Sequence, residues 1–273
     1  MRYAGVVRVL GWATVSVLVA GPGPAEDLGA IQGRGALRVL AGEGEQPEMF
    51  ALRPGDRPGF ERELIDGFAA LHRVKVTVVP VRKREDRIPA LLRGDGDLLI
   101  GLVDTESRRK LVDFTREVLP AQHVVVTRRP HRPVATLDEL KAERLGVIEG
   151  ASWAEAVKEA GVPASHLEPF ADLAATVEAL RSGKASATLM AVSNFVLVAR
   201  RDPALQAGMF FGAPGHTAWA VRKEDAQLHR ALDDYLENQR KTPSWSRLVV
   251  QYFGEKALDV LGRAKQEEGA AAR

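Results

Sequence analysis

The 273-residue chain contains no cysteine. This excludes disulfides, thiolate metal sites, a cysteine nucleophile and a lipid-bearing N-terminal cysteine. An excess of one charge is also lacking. The 38 Lys and Arg stand against 36 Asp and Glu, a formal net charge of +2, which gives no general basis for nucleic-acid binding. The one local basic run, Arg82, Lys83, Arg84 and Arg87, reads first as a solvated face and second as a patch for a partner or an anion. Catalytic signatures are missing too. There is no G-x-S-x-G, no Walker loop and no dinucleotide fingerprint. His72, His123, His131, His166, His216 and His229 form no ligand-spaced pair. Neither a cofactor nor a metal is therefore expected, and no catalytic residue is assigned. The N-terminal apolar stretch, residues 9–20, is short of the ~20 residues a membrane-spanning helix needs. It follows Arg2 and Arg8, and Pro22 and Pro24 break it. Gly23 and Ala25 suit the −3 and −1 positions of a cleavage site. Residues 1–25 thus read as a secretory signal peptide, with an uncleaved anchor as the alternative, and the mature chain is expected in the periplasm.

What is present is a repeated alternation of strand and helix patterns. Residues 37–40 form a short apolar run. In residues 61–71 the apolar positions Leu64, Ile65, Phe68 and Leu71 have helical spacing. Residues 74–81 alternate and are rich in β-branched side chains, 88–93 read as a short helix ended by Gly94, and 97–102 as a buried strand. This order predicts an α/β fold with a mostly parallel sheet. A second region repeats it. It has strands at 124–127, 145–148, 187–190 and 218–221, and helices at 172–181, 194–200 and 228–239. Another helix is opened by the Thr136-x-x-Glu139 capping box. The expectation is two α/β lobes: residues 36–120 with 218–255 in the first, 121–217 in the second, and a polar tail at 256–273 that forms a fraying helix.

Several collinear segments carry a family resemblance. They include Gly59-Phe60-Glu61-Arg62-Glu63-Leu64, residues 88–97 ending Gly94-Asp95-Gly96-Asp97, Thr105-Glu106-Ser107-Arg108, and Gly146-Val147-Ile148-Glu149-Gly150-Ala151-Ser152. Residues 218–223 and Gln251-Tyr252-Phe253-Gly254 complete the set. Together they resemble the bacterial family 3 extracellular solute-binding proteins, the amino-acid-binding type of ABC transport. Ser193-Asn194 and residues 218–223 look most like the binding-protein-like module of F-type membrane-bound lytic transglycosylases. Since the chain stops soon after Gly254, the lytic domain is not expected here. The resemblance implies a two-lobed periplasmic-binding-protein fold of type II with two crossings, near residues 119–124 and 213–218. It also implies a monomer that binds a small ligand and hands it to an ABC permease or a membrane sensor.

The resemblance also assigns site residues. Arg108 would take a ligand carboxylate in a two-pronged bond, a geometry the planar guanidinium suits; a surface arginine beside Arg109 and Lys110 is the competing reading. Thr105 and Ser152 sit at loop-to-helix transitions, where backbone N–H groups favour anions, and Gly150 and Ala151 would let the ligand approach closely. Ser152 with Glu155 reads equally well as a capping box. Met49 or Phe50 would supply an apolar wall. Trp153 and Trp219 would line the cleft or fill the core. Two positions depart from the family. Val103 stands where a hydroxyl is usual, and Ala191 where an aspartate usually receives the ligand's α-ammonium. A buried ammonium without a counter-charge is costly, so the ligand is expected to be a carboxylate lacking that amine, unless Glu43, Glu45, Glu48 or Asp104 substitutes or the site has decayed. The alternatives in function are a dehydratase of the same fold acting on cyclohexadienyl acids, and an accessory module that binds murein fragments.

Overall fold

The structure is a computed structural model that describes residues 27–53, 55–148 and 152–271. The expected signal peptide lies outside these residues. The first part of the chain runs α1 (Leu28–Arg34), β1 (Ala36–Gly42), α2 (Phe60–Leu71), β2 (Lys75–Val81), α3 (Arg87–Leu92), β3 (Leu98–Val103), α4 (Glu106–Arg109) and β4 (Asp113–Pro120). The middle runs β5 (His123–Arg128), α5 (Leu137–Ala142), β6 (Leu145–Ile148), α6 (Ser152–Glu159), β7 (Leu167–Phe170), α7 (Leu173–Ser182), β8 (Ala187–Ala191), α8 (Val192–Arg201) and β9 (Leu205–Phe211). The chain then returns through β10 (His216–Val221) and ends in α9 (Ala226–Arg240), α10 (Pro243–Phe253) and α11 (Lys256–Ala271).

These strands form two five-stranded sheets with the same plan, ordered β2-β1-β3-β10-β4 and β7-β6-β8-β5-β9. In each, three strands run parallel and the other two join through antiparallel pairings. The sheets are therefore mixed rather than mostly parallel. The antiparallel member next to the parallel trio is in both cases a strand that has just arrived from the other sheet, β10 in the first and β5 in the second. The two crossings, between Pro120 and His123 and between Phe211 and His216, run side by side. The Ala121 N–H donates to the Gly215 carbonyl at 2.8 Å, and the Gln122 side-chain amide to the Gly212 carbonyl at 3.3 Å.

Local chemistry explains the main elements. Phe60, Glu61, Leu64, Ile65, Phe68 and Ala69 are buried on one face of α2, the three-four pattern of an amphipathic helix. Both bonds of the Thr136–Glu139 capping box are made. Asp172 caps α7 by accepting from the Ala175 N–H at 2.8 Å. One large hydrophobic core joins residues beneath both sheets. It runs from Leu37, Val39 and Phe60 through Tyr252, Phe253 and Val260 to Phe195, Val196 and Val126. Each sheet has a smaller cluster on its other face, around Leu40, Leu91 and Leu99 in the first and around Val125, Leu145 and Trp153 in the second. The described part of the C-terminal tail is packed: α11 buries Ala257, Val260 and Ala264 and packs on α8, α10 and β4. Those three residues share one helical face, a stripe narrow enough to be overlooked in an Ala-rich segment.

Candidate functional site

In α/β folds ligands bind outside the carboxyl ends of the parallel strands, where the connecting loops diverge. In the first sheet those ends are Gly42, Val81 and Val103. The loops that follow carry Glu43 to Phe50, then Arg82 to Arg87, then Asp104 to Arg108. In the second sheet the ends are Ile148 and Ala191, followed by the starts of α6 and α8.

The first edge is crowded with charge. Arg108 is half-buried, and its Nη1 donates to the Val103 carbonyl at 2.7 Å. Burial first, and then the neighbouring guanidinium groups of Arg84 and Arg87, hold its pKa below the ordinary arginine value. Thr105 is exposed, and its hydroxyl accepts from the Arg108 N–H at 3.4 Å, capping α4. The Val103 side chain is 38% exposed. Met49 is partly buried against the core, whereas Phe50 is only 1% exposed and belongs to the core itself. Of the proposed pair, only Met49 is placed to form a wall.

All four acids considered as substitutes for the missing aspartate already have basic partners. Glu43 lies 3.4 Å from Arg82 and Glu45 2.8 Å from Arg87. Glu48 pairs with Arg201. Asp104 receives Nε and Nη2 of Arg109 at 2.6 and 2.7 Å, with His216 at 3.3 Å. The Arg109–Asp104 bond holds the Arg109 pKa above its usual value.

Two residues beneath this edge escaped the sequence reading. Arg87, grouped there with a solvated run, is only 8% exposed. It lies across Gly42, where a Cβ would sit 1.6 Å from its Nη2, so any side chain at 42 would displace the guanidinium. Glu61 is 3% exposed and accepts from the Trp219 indole N–H at 2.9 Å. Burial pushes its carboxyl pKa up to about 7, opposed by the Trp219 bond. The signal for Glu61 was available, because it precedes Leu64, Ile65 and Phe68 by three, four and seven residues, the spacing of one helix face. Arg87 gave no such signal.

Among the described residues, the second edge is nearly bare of charge. Ala191 is half-buried and leads into α8 without a side-chain cap. Beside it, His123 pairs in register with Ala191 and with Phe211. Burial lowers the His123 pKa. Its ring lies 6.3 Å from that of Trp153, which packs in the smaller core of this half. Trp219 is fully buried, so both tryptophans are core residues. Ser152 opens α6; Gly150 and Ala151 lie outside the described residues. The edges touch through the first loop, where Gln46 Nε2 donates to Asn194 Oδ1 in the first turn of α8 at 2.6 Å.

A groove of about 870 Å³ runs between β4 and α9, lined by Asp104, Arg109, Glu117, His216, Arg240 and Lys265 among others. Its charges are matched internally: Arg116 with Glu237 at 2.9 Å, and Arg240 and Lys265 with Glu117 at 3.7 and 3.6 Å. Among the described residues, no helix is long and apolar enough to cross a membrane.

Known proteins agree with this architecture. A membrane-bound lytic murein transglycosylase F of Stutzerimonas stutzeri (strain A1501) is 29% identical over 86% of this chain and 49% of its own length. The chain thus spans about half the length of the curated relatives it matches. Among solved structures, an ancestral cationic amino acid solute-binding protein is 24% identical with a TM-score of 0.71, covering 83% of this chain and 99% of that one. The L-cystine solute receptor of Neisseria gonorrhoeae, in an unliganded open conformation, is 17% identical with a TM-score of 0.71 over 83% of this chain and 96% of its own. Residues 37–255 match the bacterial extracellular solute-binding proteins, family 3, and the chain belongs to that family.

Proposed function

We propose that the protein is an exported, periplasmic binding protein that closes its two lobes on a small carboxylate-bearing ligand, for ABC-type transport or for sensing. The observation that carries the reading is Arg108. It is half-buried at the carboxyl edge of the parallel strands, where α/β folds hold ligands. One described side-chain bond, to the Val103 carbonyl, leaves most of its five donors for a carboxylate. The paired crossings at residues 121–122 and 212–215 supply a hinge. A ligand touching both edges only when they approach would favour the closed state. The site is read as one of binding, since Glu43, Glu45, Glu48 and Asp104 are each already paired with a base.

The first test is a thermal-shift screen of keto acids, dicarboxylates and amino acids. A specific ligand raises the melting temperature with concentration by mass action, and Arg108→Ala should abolish the response to carboxylates. A response that survives Arg108→Ala would sink this assignment. The relatives' name favours a second reading, a module that binds murein fragments. Co-sedimentation with purified cell wall, competed by soluble carboxylates, separates the two.

A further inference from the structure

The second sheet carries a basic cavity at the end opposite its ligand edge. β5 runs antiparallel to β8, so it begins with His123 beside Ala191 and ends with Thr127 beside Ala187, followed by Arg128. Arg144 immediately precedes β6, and Arg181 lies in the last turn of α7. At ~3.4 Å per residue, the length of β5 alone separates this end from the Ala191 edge by about 17 Å. The cavity measures about 540 Å³ and is lined by Arg128, Arg129, His131, Arg144, Arg181 and Ser186 among others. Sites for small molecules span roughly 300–1,000 Å³.

Among the described residues, no Asp or Glu lines this cavity. Three acids pair with its lining. Buried Asp202 accepts from Arg128 Nε at 3.1 Å and from Arg181 Nε at 3.0 Å. Glu178 lies 3.6 Å from Arg181, and Glu143 2.9 Å from His131. Arg129 and Arg144 are held by neutral acceptors only. Arg129 Nε donates to Gln206 Oε1 at 3.2 Å, and Arg144 Nη2 to the Gly183 carbonyl at 2.8 Å. Exposed Arg132 and Lys184 adjoin lining residues in sequence and add two further positive charges.

The tethers matter as much as the charge. Three of the four guanidinium groups are bonded through Nε and the fourth through one Nη, so each keeps terminal nitrogens with no described hydrogen bond. Side chains already held in place lose little freedom when an anion arrives, and their forks match oxyanions. The carboxyl end of α7 also lies here and by itself disfavours an anion. Its carbonyls are partly taken, since Ser182 Oγ donates to those of Glu178 and Ala179 at 3.0 and 3.3 Å. A carboxylate offers two oxygens and one charge. A phosphate monoester offers three oxygens and about −1.5 to −2 charge, which suits several forks at once.

We propose that this cavity is a second ligand site, separate from the cleft, for a dianionic phosphate group, either inorganic phosphate or a small phosphomonoester. Arg129 and Arg144 supply charge that no described acid balances. Arg128 and Arg181, fixed by Asp202, supply further donors.

Calorimetry at constant ionic strength tests the proposal with inorganic phosphate and glycerol 3-phosphate. At least one should bind with a Kd below about 1 mM, and Arg129→Ala with Arg144→Ala should weaken it about tenfold or more, each factor of ten being about 1.4 kcal/mol. Arg108→Ala should leave this binding unchanged. Tighter binding of glycerol 3-phosphate would identify a phosphomonoester, and equal binding the phosphate group alone. Both substituted arginines are exposed, so the melting temperature without ligand should hold. Should the double variant fail to fold, Arg144→Lys keeps the charge, removes the fork and should still weaken binding. Neither probe binding at about 1 mM would overturn the site, as would binding that survives the arginine substitutions. Loss of phosphate binding in Arg108→Ala would move the anion to the cleft and overturn it equally. Attachment to phosphatidylglycerol vesicles without binding of either soluble probe would overturn the dianion in favour of a lipid surface.

Discussion

The two sheets share one plan of strands, yet their carboxyl edges differ in nearly every chemical respect. The edge of the first sheet is a lattice of ion pairs over a buried acid. It includes Glu45 with Arg87 and Asp104 with Arg109, over Glu61, which accepts from the Trp219 indole N–H. The edge of the second sheet presents Ala191, the uncapped start of α8, and the His123–Trp153 contact. On the proposed function, the first edge would choose a ligand by charge, and the described residues of the second would cover it. Ligand identity should be decided by the first edge. The second should contribute exclusion of water and backbone N–H groups.

The sharpest way to break this asymmetry is to put an acid on the bare edge. Ala191→Asp should create a counter-charge for an α-ammonium and improve amino-acid binding. Leaving one partner of such a buried charge pair without the other costs roughly 2–5 kcal/mol, about one to four powers of ten in affinity. Calorimetry with a panel of amino acids before and after the substitution measures it, and no gain for any of them would show that the second edge does not face the ligand.

A somewhat smaller effect should come from the acid under the first edge. The Glu61 pKa is raised from 4.5 to about 7 in the folded protein, so the native state holds its proton more tightly than the unfolded chain does. The associated stability is fully present below about pH 4.5 and is lost as pH rises through about 7. At about 1.4 kcal/mol per pH unit the loss is of the order of 3 kcal/mol. Glu61→Gln should flatten that slope, as measured by urea unfolding at pH 5 and pH 8. An unchanged slope in the variant would show that Glu61 is ionised without penalty.

The smallest effect should come from a second contact between the first loop and α8, at the far end of that helix. Arg201 is largely exposed in its pair with Glu48, and exposed pairs contribute about 0–1 kcal/mol. A double-mutant cycle on Glu48→Ala and Arg201→Ala should therefore give a coupling energy below about 1 kcal/mol. A coupling well above that would mean that the loop and α8 are locked together and that closure must break the lock.

Much of the fold was legible in the sequence because it follows from apolar periodicity. The strands at β1, β6 and β8 and the helices at α2, α7 and α9 fall within about two residues of their expected bounds. The strands that were missed break the pattern for identifiable reasons. β7 carries Pro169 and lies at the edge of its sheet, where a missing N–H is tolerated. β9 contains Gly208 beside a register irregularity. A Cβ there would come within 2.2 Å of the Val134 carbonyl, so a close backbone approach removes the β-branched signal. β4 carries charged residues at positions 113, 116 and 117 on an outer strand. For the site, the resemblance named Arg108, Thr105 and Val103, and the topology brings them to one edge. It could not show that four acids were already committed, nor that Arg87 lies buried across Gly42, because ion-pair partners distant in sequence are settled only by the fold.

The core that runs unbroken from Leu37 through Phe253 to Phe195 bears on how this protein comes apart. Domains with separate cores can lose structure one at a time. Here α10 and α11 fill the space between α2 on one side and α8 on the other, with Phe60 packed on Phe253 at 5.0 Å between ring centres. Neither half can melt without exposing apolar surface that the other half also covers. The chain should therefore absorb heat in a single transition, and the hinge should turn about a solid pivot rather than a slack tether. A ligand captured between the edges would then steady the molecule as a whole, out to the packed helix at its C-terminal end.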